Sequence, residues 1–80
     1  MKVKSLGENQ TQVTIGLIDV LVSYQTPVAV YDHGNHKAYR TEKKWSRTTS
    51  KHINAWFDNN KDVKELPQEY FDNLMEGGTL

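Results

Sequence analysis

The chain is 80 residues long, which predicts one domain, residues 1–80, burying only about 60% of the surface its unfolded form exposes. It contains no cysteine, so a disulfide framework and a thiolate metal site are both excluded. Its ten basic and ten acidic residues cancel in sum but not in place. Residues 37–52 carry Lys37, Arg40, Lys43, Lys44, Arg47 and Lys51 against Glu42 alone, whereas residues 53–80 carry Lys61 and Lys64 against six carboxylates. A basic middle and an acidic tail point either to a surface for an anionic partner or to two parts that attract each other.

Taken in chain order, the first forty residues predict strands. The run holding Val3, Ser5 and Leu6 ends at Gly7-Glu8-Asn9, and Thr11 to Ile15 alternates, with Val13 and Ile15 on one face. Asp19 to Tyr24 puts Val20, Val22 and Tyr24 on one face, and Pro27 suits a strand start or an edge. Val28 to Tyr31 and Lys37 to Thr41 form a hairpin around the turn Asp32-His33-Gly34-Asn35. Lys2 and Lys4 are followed by no apolar run, and Leu17 to Val22 is broken by Asp19. No signal peptide or membrane span is therefore expected, and the absence of cysteine suits a cytoplasmic protein.

The second half changes period. Ser46, Thr48, Thr49 and Ser50 are candidate helix caps ahead of Ile53, Trp56 and Phe57, which share a helix face. Arg47, Lys51 and Asn54 fall on the other side, and Asp58-Asn59-Asn60 ends the helix. A second helix starts at Pro67, has Glu69 in its first turn, buries Tyr70, Phe71, Leu74 and Met75, and stops at Gly77. The predicted fold is α+β. A small antiparallel sheet of four or five strands (residues 2–41) is followed by two short helices, about 49–58 and 67–76, packed on one face.

The stretch 37–51 carries the strongest chemical signal. Arg40, Lys43, Lys44, Trp45, Arg47 and Lys51 set cations among aromatic rings and hydroxyls. Phosphates want cations and hydrogen-bond donors, and unpaired bases want stacking surfaces. Trp45 lies in a charged loop without a periodic partner, which marks it as an exposed functional aromatic. A plain reading stands beside this one, with solvated Lys and Arg and Trp45 in the core. The zero net charge also counts against strong duplex binding.

His33 and His36 flank a turn without a third ligand at a zinc-like spacing, so no metal site is expected. His52 reads as a half-buried structural histidine, four residues before Trp56. Asp19 interrupts an apolar strand and is expected on its polar face. No nucleophile elbow, glycine-rich phosphate loop or His-Glu metal helix is present, and no enzyme activity or cofactor is predicted.

Two segments carry a resemblance. They are Ser23-Tyr24-Gln25-Thr26-Pro27-Val28-Ala29 and the run from Tyr39 to Trp56, with its Ser46-x-Thr48-Thr49-x-x-His52-Ile53-x-x-Trp56 pattern. Over about Leu6 to Leu74 the chain resembles a family of small, uncharacterised proteins encoded by tailed phages and phage-derived regions of bacterial genomes. The resemblance implies an accessory viral protein of the bacterial host cytoplasm and supplies no catalytic residues. Two functions are expected. One is non-catalytic nucleic-acid binding through residues 37–51, and the alternative is a protein-binding inhibitor or adaptor acting on a host protein. A thin core and open sheet edges also suit a homodimer.

Overall fold

Alternating apolar and polar residues put five consecutive segments into extended form, and short turns fold each back on the last. These are β1 (Lys2–Gly7), β2 (Gln10–Ile15), β3 (Ile18–Ser23), β4 (Thr26–Asp32) and β5 (Lys37–Thr41). Helix α1 (Arg47–Trp56) follows, then a sixth strand, β6 (Val63–Leu66), and helix α2 (Gln68–Glu76). The computed structural model describes residues 2–58 and 62–76.

The strands lie in the sheet in chain order, β1 to β6. The first five pair antiparallel, and β6 returns after α1 to lie parallel to β5. Each of the four hairpin turns places a residue in the left-handed backbone region: Asn9, Gly16, Tyr24 and His36. Gly16 takes it at φ +59° without a side-chain penalty, whereas Tyr24 takes it at φ +59° with a bulky ring. The Tyr24 N–H donates to the Asn9 carbonyl at 2.7 Å, which ties this turn to the neighbouring one. In the β4–β5 turn, Asp32 Oδ1 accepts from the N–H groups of Gly34 (2.9 Å) and Asn35 (3.2 Å).

Lateral pairing sorts the sheet into two faces. Val13, Val20, Val30 and Tyr39 are successive partners across β2 to β5 and so share one face. Phe71 of α2 packs there, fully buried, with Leu66, Tyr70 and Leu74 around it. Gln12, Leu21, Ala29 and Arg40 are successive partners on the other face. Ile53 of α1 packs there against Leu21, Val28 and Ala29, with Trp56 and Phe57 at the margin. Each of these fully buried apolar side chains contributes roughly 1.5–3 kcal/mol.

The α+β class, the five antiparallel strands and the two helices agree with the sequence reading. The placement of the helices does not: they cover opposite faces of the sheet, not one. Strands β3 and β4 are apolar on both faces (Val20 and Leu21, Val30 and Ala29, all fully buried), so each face needs its own cover. β6 lies beyond the strands that the sequence predicts. It has only four residues, with apolar Val63 and Leu66 at its ends, too short to show alternation. Helix α1 also begins earlier, because Ser46 Oγ accepts from the Thr49 N–H at 3.1 Å and caps it. The helix stops at Asn59-Asn60 and Gly77 lie outside the described residues, as does the Met75 side chain.

Candidate functional site

The six residues singled out from the sequence divide into two neighbouring groups. Arg47 and Lys51 are exposed on α1, one turn apart, with Asn54 on the same stripe. Arg40 reaches this stripe from β5, and its Nη1 donates to Asn54 Oδ1 at 2.9 Å. Helix α1 contains no Asp or Glu, so the stripe is positive along its length. Glu65 is the lateral partner of Arg40 where β6 pairs with β5.

Lys43 and Trp45 form the second group, in the loop between β5 and α1. The Lys43 ammonium sits 4.1 Å from the Trp45 ring centroid, a cation–π contact. Trp45 keeps 40% of its surface exposed, so it is not a core residue. Its Nε1 donates to Gln68 Oε1 at 3.1 Å, and Gln68 Nε2 in turn donates to the Pro27 carbonyl (2.8 Å) and to Asp72 (3.0 Å). The indole is therefore held by a side chain that is itself held. Lys44, between Lys43 and Trp45 in the chain, is exposed.

Behind Trp45 lies a chain of polar groups. Ser46 Oγ donates to Thr49 Oγ1 (3.3 Å), and Ser23 Oγ lies 3.0 Å from Thr49 Oγ1 and 2.8 Å from His52 Nδ1. The Ser23 hydroxyl has two protein partners and its residue is only 2% exposed, which makes it a satisfied core group rather than an accessible nucleophile. His52 is half-buried, as the sequence reading expected, but its ring neighbour is Tyr24, with centroids 6.1 Å apart. Trp56 instead packs edge-on to Phe57, and its Nε1 donates to Gln12 Oε1 at 3.0 Å.

Asp19 is half-buried rather than on a solvated face. Its two oxygens face Thr14 Oγ1 (2.7 Å) and His33 Nε2 (2.7 Å). Burial pushes the carboxyl up, but the hydrogen bonds from His33 and Thr14 and the charge of His33 outweigh it, and its pKa lies below the usual value. His33 is thus committed to a carboxylate. Among the described residues no three His, Asp or Glu side chains group as metal ligands. Among them, too, no helix is long and apolar enough to cross a membrane.

Tyr24 and Gln68 escaped the sequence reading. Tyr24 looks like the last residue of an alternating strand, and only its backbone conformation turns it out. Gln68 is an ordinary polar residue near a helix start, and nothing local ties it to Trp45, 23 positions earlier.

The molecule is thus a small α+β protein whose mostly antiparallel sheet is covered by one helix on each face, with a cationic, aromatic loop leading into α1. Its sequence matches a family of unknown function, DUF8033, over residues 1–73, and the chain belongs to that family. No curated protein and no solved structure matches it.

Proposed function

We propose that this chain is a non-catalytic, phage-encoded accessory protein that binds nucleic acid through residues 37–51 in the cytoplasm of a bacterial host. The observation that supports this is the acid-free stripe on α1, where Arg47, Lys51 and the Asn54-bonded Arg40 offer cations to successive phosphates. Lys43, Lys44 and Trp45 extend the same surface into the loop.

The experiment is a fluorescence-anisotropy titration of labelled single-stranded and duplex oligonucleotides, from low to physiological salt. Replacing Arg47 and Lys51 together by Glu should abolish binding at low salt. Replacing each by Ala should lower the salt slope by about 0.7 on single strands and about 0.9 on duplex for each lost contact. Wild-type protein that binds neither nucleic acid at low salt sinks the reading.

A second reading rests on a different observation. Among the described residues strand β1 ends the sheet with no strand on its outer side, and Val3 is 66% exposed. A host protein, or a second copy of this chain, would add a strand there. Sedimentation of the purified protein tests for the homodimer. A host protein retained after nuclease treatment, and lost when Val3→Lys is introduced, favours the inhibitor or adaptor role.

A further inference from the structure

We infer that the hollow between the β3–β4 turn and the start of α1 takes one unpaired nucleobase of a single strand, a reading that rests on the nucleic-acid role proposed above. The hollow has a volume of about 260 Å³ and is lined by Tyr24, Trp45, Val28, Ser23, Thr26, Ser46 and Thr49. Exposure separates rim from floor. Tyr24 and Trp45 are 50% and 40% exposed, whereas Ser23 and Thr49 are 2% and 5% exposed. Two solvent-facing aromatic rings thus border a recess whose floor is the buried Val28 together with Ser23 and Thr49.

The Trp45 ring and the Tyr24 backbone are held in place without a ligand. Tyr24 is held out by a backbone that a bulky residue rarely adopts, at φ +59°, and by its N–H bond to Asn9. Such strain persists only where surrounding structure enforces it, and it concentrates at binding sites. Trp45 is held by Gln68. A ring already ordered in the free protein loses little rotamer freedom on binding, which favours affinity.

The charge around the recess selects the kind of flat ligand. Lys43 stands over the Trp45 ring, Lys44 adjoins it in the chain, and Arg47 follows Ser46 at the rim. An aliphatic peptide side chain gains nothing from these cations, and an uncharged aromatic ring gains only a cation–π contact. A nucleotide gains more: its base stacks on an aromatic face while its phosphates meet the ammonium and guanidinium groups. Every base has a π-face, so the site tolerates sequence. A paired base is already stacked and cannot enter, so the site discriminates strand state. This supplies what the basic stripe alone does not, a preference for single strands over duplex.

The test compares oligonucleotide binding by wild-type protein and three variants. Tyr24→Asn removes a ring while suiting the left-handed backbone, Trp45→Ala removes the other, and Trp45→Phe keeps a stacking face. Circular dichroism and thermal melting confirm that each variant folds. The wild type should prefer single strand to duplex. Tyr24→Asn and Trp45→Ala should each weaken single-strand binding about 5- to 150-fold, the loss of one stacked base. Tyr24→Asn should leave duplex binding and the single-strand salt slope unchanged, and Trp45→Phe should keep most of the affinity. Aromatic variants that bind single strand as tightly as wild type overturn the inference and leave the basic stripe standing. Wild-type protein that binds neither strand form overturns both, as does a host protein captured through Trp45 without any oligonucleotide binding.

Discussion

Trp45 Nε1 and Gln68 Oε1, 3.1 Å apart, join the basic loop to the helix on the far face of the sheet. Gln68 also donates to the buried Pro27 residue's carbonyl. Gln68→Ala should therefore free the indole and leave that carbonyl without its partner. We expect a loss of about 1–3 kcal/mol in urea unfolding. In a Trp56→Phe background, Trp45 should also show lower steady-state anisotropy. Unchanged anisotropy would contradict the link.

Ser23, Thr49 and His52 share hydrogen bonds between β3 and α1. Ser23→Ala removes the hydroxyl that Thr49 and His52 both use, and the site is too buried for water to replace it freely. The expected cost is about 1–3 kcal/mol. A chemical-denaturation midpoint that moves by less than about 0.5 kcal/mol would show the network to be dispensable.

Asp19 makes stability depend on pH in a definite direction. Its folded pKa is depressed, so the unfolded chain takes up the proton first as pH falls. Its contribution is complete above the unfolded value of about 3.9 and disappears as pH drops through the lower folded value. Asp32 acts in the same sense. The Asn35 side chain holds its carboxyl down against slight desolvation, helped by the N–H groups of Asn35 and Gly34. Asp19→Asn should therefore flatten only part of the acid limb. Melting curves of wild type and variant that stay parallel from neutral pH to pH ~3 would rule this out.

Phe71 is fully buried against Val13, Val20 and Val30 and anchors α2. Phe71→Ala should cost about 3–5 kcal/mol, enough to unfold much of a domain this small. Equilibrium urea unfolding followed by circular dichroism reads this directly, and a native-like midpoint would mean that α2 is not needed to cover its face.

Local features made much of the architecture readable. Alternation marked the five antiparallel strands, because a half-buried strand must show opposite chemistry on its two sides. The Ile53, Trp56 and Phe57 spacing and the Pro67-to-Leu74 pattern marked the helices. The charge excess of residues 37–51 was visible by counting, and the exposure of Trp45 followed from its lack of periodic partners. β6 was hidden because four residues carry too little pattern, and its pairing with β5 lies more than twenty positions away in the chain.

The basic stretch, a single excess of charge along the chain, is two arrangements in space. By itself the sequence determined which residues are cationic, which are aromatic and where the chain changes period, since these depend only on near neighbours. The tertiary structure decided the rest: that the helices take opposite faces, that Arg40 joins Arg47 and Lys51 through Asn54, and that Tyr24 meets Trp45 at one hollow. The Arg40–Asn54 and Tyr24–Trp45 relationships join residues 14 and 21 positions apart. They arise from sheet register and from which face each helix must cover, and no local pattern encodes either.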